Sequence, residues 1–168
     1  MAIAAHYARR AHQLDRVLIV DWDVHHGNGT QALVESDPDI RFISMHQWPW
    51  YPGTGAHDDR GPHDNVWNVP LTHSLPAERY VSALLTAIDA ATAGFTPDLI
   101  LISAGFDSLK GDPLGGFTLE LGDIDRLTRE LVSRAGQWCG GRVVSALEGG
   151  YAPERLGEAA VTHLRALA

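Results

Sequence analysis

Short apolar runs alternate along this chain with stretches of helical periodicity, and that alternation limits the possible folds more than any other feature. Val17–Val20, Arg41–Met45, Asp98–Ser103 and Arg142–Leu147 have the length and β-branched content of buried strands, and Val66–Leu71 reads as a briefer one. Between them lie helical patterns. Residues 2–13 are alanine-rich without breakers, and residues 28–35 form a short helix ending before Asp37-Pro38. After Ser74-Leu75-Pro76, the residues Tyr80, Val81, Leu84, Leu85 and Ile88 recur at helical spacing until Gly94 and Pro97. Ile124, Leu127, Leu131, Val132 and Ala135 make the next stripe, and Pro153 opens a last helix to about residue 167. Strands that alternate with helices predict an α/β fold, a parallel sheet with helices on both faces. At 168 residues without repeats or a linker, the chain fits a single domain spanning 1–168.

In a parallel sheet every strand exit faces the same edge, and ligands bind there. Three exits carry chemistry. The first is Asp21-Trp22-Asp23-Val24-His25-His26-Gly27-Asn28-Gly29, in which continued extension would put Asp21, Asp23 and His25 on one face. The second leads to Asp107, and the third is Glu148-Gly149-Gly150-Tyr151. Two carboxylates and an imidazole from Asp23, His25 and Asp107 suit zinc, with a fourth position left open as in catalytic sites. Tyr151 could donate a hydrogen bond to a developing oxyanion, and Gly149 and Gly150 would let the backbone come close. Each piece alone is weak, since a lone Asp after a strand is usually a turn residue. The coincidence of all of them at one edge is the signal. His26 points away from the trio and reads as a hydrogen-bonded structural histidine. A long loop over residues 47–65, with no element of its own, reads as functional.

Composition excludes several classes of function. The formal charge of −8 opposes nucleic-acid binding, which basic patches drive. No apolar run approaches the ~20 residues of a membrane span. The single Cys139 permits no internal disulfide and fits a reducing, cytoplasmic setting.

Six ordered blocks closely resemble the histone deacetylase superfamily. They are Asp21–Thr30, Ser44-Met45-His46, Tyr51-Pro52-Gly53-Thr54-Gly55, Asn68-Val69-Pro70-Leu71, Ser103-Ala104-Gly105-Phe106-Asp107 and Leu147-Glu148-Gly149-Gly150-Tyr151. The Tyr-Pro-Gly-Thr-Gly and Leu-Glu-Gly-Gly-Tyr forms are closer to class II and bacterial members, including acetylpolyamine amidohydrolases. The resemblance implies the arginase/deacetylase fold and hydrolysis of the acetamide of acetyl-lysine proteins or acetylpolyamines. It implies that Asp23, His25 and Asp107 bind zinc and that Tyr151 stabilises the oxyanion. Tyr51 would wall the acyl-lysine tunnel, Leu114 would be a pocket residue, and Gly149 and Gly150 would line the pocket beside Tyr151. Asp21, the Ser44 hydroxyl and backbone oxygens of Asp23, His25 and Met45 would hold a monovalent cation such as K+. A second cation would sit against backbone around Val34, Asp37 and Ile40.

One departure from the family pattern matters. Members carry a tandem His-His pair, which supplies the general base, in a segment ahead of the region matching Ala2-Ile3-Ala4-Ala5. His25-His26 cannot replace that pair, because His25 is assigned to the metal. The chain is therefore expected to correspond to an N-terminally truncated catalytic domain, with little activity by itself. The absent strands are expected to leave an open sheet edge and to cause poor solubility or self-association into homo-oligomers. Two other readings stay in view. A non-catalytic metal-binding or interaction module would keep the ligands without turnover. An arginase-type ureohydrolase would need two manganese ions, but Gly27 and Leu109, two residues beyond His25 and Asp107, cannot bind metal.

Overall fold

The computed structural model describes residues 1–168. Strands β1 (Val17–Asp21), β2 (Ile40–Gln47), β3 (Val66–Leu71), β4 (Leu99–Ala104) and β5 (Val143–Leu147) form one sheet in the order β3-β2-β1-β4-β5. Every pairing is parallel, so the strand exits share one edge as the alternation predicts. Helices α1 (Ala2–His12), α2 (Asn28–Val34), α3 (Ala77–Thr92), α4 (Leu121–Cys139) and α5 (Pro153–Leu167) follow the expected periodic segments within a few residues.

The continuous apolar character of β1 has a direct cause. Its side chains alternate between two cores, one on each face of the sheet. Val17 and Ile19 pack with Ala2, Ala5 and Ala8 of α1. Leu18 and Val20 pack with the larger cluster that includes Tyr80, Leu84 and Ile88 of α3 and Ile124, Leu127 and Leu131 of α4. A central strand buried on both faces cannot afford polar alternation. Local signals set the helix ends. Glu120 and Asp123 form a reciprocal capping box at the start of α4, and Gly140 ends that helix in the left-handed conformation at φ 61°. Pro153 occupies the first turn of α5, where no intrahelical N–H is needed.

Strand β2 runs two residues past the expected Met45. Its partner β3 pairs as far as Gln47 with Leu71, and Gln47 N donates to Val24 O at 2.9 Å. Pro70 is tolerated within β3 because β3 is an edge strand and its N–H is not needed.

The opposite edge is open. β5 pairs only with β4, and its Val144 and Leu147 are 51% and 58% exposed. Unpaired backbone beside exposed apolar side chains is a template for strand addition. Expressed as this chain, the protein is expected to self-associate, and Val144→Lys should lower its weight-average mass in sedimentation velocity. A monodisperse monomer before any substitution would contradict the expectation.

Candidate metal centre and its pocket

β1 ends at Asp21, earlier than an extended run through His25 requires. Two consecutive side-chain turns take over from the strand. Asp21 Oδ1 accepts from Asp23 N at 3.0 Å, and Asp23 Oδ1 accepts from His25 N at 2.9 Å. Trp22 and Val24 are fully buried in the core, which turns Asp23 and His25 toward the opening. Asp21 separates from them, buried beside its β2 partner Ser44. The conclusion drawn from alternation therefore holds for Asp23 and His25, through turns rather than pleat.

Asp107 arrives on the loop after β4. Its Oδ1 accepts from Val24 N at 2.8 Å, which locks the two loops together. The exit of β5 joins them: Gly149 N donates to Asp23 Oδ2 at 2.8 Å, and Phe106 N donates to Gly149 O at 2.8 Å. A β-carbon on Gly149 would run into the Asp107 and Asp23 carboxylates, so the close approach itself requires glycine there.

The ligand atoms of Asp23, His25 and Asp107 all lie within 4.8 Å of one another. His25 Nδ1 is 3.0 Å from Asp23 Oδ1 and 3.3 Å from Asp107 Oδ2. Asp107 is 0% exposed, and its Oδ2 is buried with no hydrogen-bond donor. Burial, and next the charge of Asp23, push its carboxyl up to about 8. Burial, and then Asp23, also hold Asp21 well above the usual carboxylate range. An orphaned buried carboxylate oxygen facing an imidazole and a second carboxylate is a donor set that fits a divalent metal.

Asp23 and His25 open onto a cavity of about 680 Å³ lined also by Trp50, Tyr51, Leu114, Glu148, Gly149, Gly150 and Tyr151, while Asp107 stays buried beside them. The expected Tyr51, Leu114, Gly149, Gly150 and Tyr151 all reach it. The Tyr51 and Tyr151 rings approach the His25 ring edge-on, with centroids 6.0 and 6.4 Å away. Trp50 and Glu148 also line the cavity, and sequence reasoning gave them no role. Trp50 lies inside the long loop already marked as functional, and its Nε1 donates to Leu114 O at 3.1 Å. Glu148 accepts from Ser103 Oγ at 2.8 Å, a contact between strand exits that no local pattern reveals.

Asp21, Ser44 and Met45 come together behind the trio, with Ser44 and Met45 fully buried. The carbonyls of Asp23 and His25 receive no backbone hydrogen bond, so both remain free as oxygen donors. The second expected cation position is different. The carbonyls of Val34, Asp37 and Ile40 do converge, but on Asn65 Nδ2, at 3.3, 3.0 and 2.9 Å. One side-chain amide thus lies within hydrogen-bond distance of all three carbonyls. His26 is structural as expected, bonded to Thr54 Oγ1 at 2.8 Å and Gln31 Oε1 at 2.9 Å. The long loop is tied down through Thr54 and through His46 Nε2, which donates to Gly55 O at 2.9 Å.

Residues 1–167 match the histone deacetylase domain. The chain belongs to the histone deacetylase family. The uncharacterized protein slr0245 of Synechocystis sp. is 43% identical over 167 residues, covering 99% of this chain and 53% of that protein. Histone deacetylase 10, chloroplastic, of Oryza sativa subsp. japonica is 42% identical over 170 residues, covering 99% of this chain and 38% of that protein. Among solved structures, the HDA15 HD domain superposes with a TM-score of 0.88 at 35% identity, covering 99% of this chain and 49% of that one. The histone deacetylase Clr3 superposes with a TM-score of 0.87 at 31% identity, covering 98% and 29%. The chain thus spans about half or less of the length of these relatives, and its sheet is the arginase/deacetylase α/β fold.

The raised carboxyl of Asp107 fixes the sign of a pH dependence. Its ordinary value is 3.8, and in the fold it lies at about 8. Below the ordinary value both folded and unfolded chains hold the proton, and the group contributes nothing. As pH climbs toward the folded value only the unfolded chain releases the proton, so the metal-free fold loses stability. The Tm of the metal-stripped protein is expected to fall from about pH 5 to pH 8, and added Zn2+ should raise it most at the upper end. A metal-free Tm that rises across this range, or a zinc effect that shrinks with pH, would contradict the assignment.

Proposed function

We propose that this chain carries the metal site of a zinc-dependent deacetylase acting on the acetamide of acetyl-lysine proteins or acetylpolyamines. One observation carries the proposal: the buried, donor-less Asp107 Oδ2 sits against Asp23 and His25, which line a cavity together with Tyr151. Asp23, His25 and Asp107 would hold a zinc ion, which would supply Lewis-acid polarisation of the acetamide carbonyl. The chain's own groups do the rest. Tyr151 donates a hydrogen bond from its phenol to the carbonyl oxygen as negative charge develops there. Burial, and then the charges of Asp107 and Asp23, raise the Tyr151 phenol, which keeps it a neutral donor at neutral pH. Tyr51 and Trp50 form an aromatic wall suited to the methylene chain of an acylated amine. K+ near Asp21, Ser44 and Met45 belongs to the same proposal, as does a cytoplasmic, reducing setting, in keeping with the single, unpaired Cys139.

General-base help is the part the cavity does not supply through histidine. His25 is the one histidine lining it, and it is assigned to the metal. His46 is buried and bonded to Gly55, and burial lowers it to about 4. Such help is typically worth 10²–10⁴-fold. This favours a second reading for the chain by itself, a metal-binding module with little turnover. An arginase-type binuclear site has no support from the positions that would extend the trio. Leu109 is buried in the apolar core, and Gly27 offers no ligand.

The two main readings separate on turnover. Deacetylation of an acetyl-lysine peptide or an acetylpolyamine should fall by about 10²–10³-fold in Tyr151→Phe, while zinc content stays unchanged. Equal rates in both forms would remove Tyr151 from the chemistry. Zinc binding without any turnover in the unsubstituted chain would leave the binding-module reading standing.

A further inference from the structure

Tyr151 stands on a hinge. Two glycines precede it, Gly150 adopts φ 140°, and Tyr151 is 48% exposed. A donor that must meet one oxygen atom needs its backbone fixed, and packing does not fix this one. Two hydrogen bonds flank the hinge. On one side Gly149 N donates to Asp23 Oδ2 at 2.8 Å. On the other, Tyr151 N donates to Asp112 Oδ2 at 2.7 Å. Asp112 is 7% exposed and lies on the loop that leaves β4, just past Asp107. Its second oxygen, Oδ1, accepts from Leu114 N at 2.9 Å. Leu114 O in turn accepts from Trp50 Nε1. One buried carboxylate thereby stitches the exit of β5 to the pocket wall after β4, and through Trp50 to the loop after β2.

We propose that Asp112 is a positioning residue whose carboxylate clamps the Tyr151 and Leu114 amides, fixing the oxyanion donor and one wall of the pocket together. The inference rests on the role assigned to Tyr151 above. The bond to Leu114 alone would be an ordinary side-chain turn. The bond to Tyr151 is different, because it joins two loops from separate strands across 39 residues of sequence, and no local turn requires it. Two N–H donors, one on each oxygen, call for a carboxylate. An asparagine there can satisfy one amide only and must turn its NH2 toward the other.

Amide hydrogen exchange and NMR on the zinc-loaded chain test this without relying on turnover. In the unsubstituted protein the Tyr151 and Leu114 amides should exchange at least about tenfold more slowly than those of Gly150 and Gly115, although Tyr151 is half exposed. Nuclear Overhauser contacts should connect the Tyr151 and His25 rings. In Asp112→Asn, exchange of one or both clamped amides should accelerate at least about tenfold and the ring contacts should disappear, while the Gly149 amide, held by Asp23, keeps its protection. Asp112→Glu, which retains both oxygens, should lie between the two. Where turnover is measurable, kcat should fall by up to about 10²-fold in Asp112→Asn with KM changed far less. A Tyr151 amide that exchanges as fast as Gly150 in the unsubstituted chain would overturn the clamp, whether or not the variants fold. So would ring contacts that survive Asp112→Asn. Absence of turnover throughout would instead count against the deacetylase reading of this chain and leave the exchange result to decide the clamp.

Discussion

A carboxylate oxygen sealed from water with no hydrogen-bond donor is costly to maintain, by several kcal/mol when ionised. Asp107 Oδ2 is such an atom, and it lies within 3.3 Å of an imidazole and close to a second carboxylate. Backbone amides satisfy the remaining oxygens of the pair: Val24 N serves Asp107 Oδ1, His25 N serves Asp23 Oδ1, and Gly149 N serves Asp23 Oδ2. The unsatisfied atom is the one that lies against His25. A cation at this point would turn the arrangement from strained to stable, and the sheet supplies the rigidity that holds the ligands ready for it.

That rigidity comes from the order of the strands. β1 is central and buried on both faces, and its neighbours β2 and β4 bring their exits alongside it. The exits are then bonded to one another rather than left as free loops. Val24 ties to Asp107, Phe106 to Gly149, and Asp112 to both Leu114 and Tyr151. The same geometry explains why glycine stands at 149, where a side chain would overlap the two carboxylates. Precision at the site is a property of the whole sheet edge.

Much of this was legible in the residues. The apolar runs gave the strands because central parallel strands are apolar on both sides. The shared edge followed from parallel pairing, and with it the meeting of Asp23, His25, Asp107 and Tyr151. Other features depend on contacts that leave no periodic trace. Asp21 and Asp23 form successive side-chain turns, so the strand stops sooner than its pattern implies. Asp112 looks like any loop aspartate until the loop after β5 is placed against it. Asn65 lies far in sequence from the carbonyls of Val34, Asp37 and Ile40, and only the fold brings its amide within hydrogen-bond distance of all three.

The central claim is that Asp23, His25 and Asp107 together bind one divalent ion. Titration of Co2+ into chelator-stripped protein, followed by its visible absorption and competed with Zn2+, tests this most directly. The account predicts one tightly bound ion per chain, with a spectrum of mixed nitrogen and oxygen ligation that Zn2+ displaces and that Asp107→Ala abolishes. Failure to bind a stoichiometric ion, or an unchanged spectrum in Asp107→Ala, would contradict it.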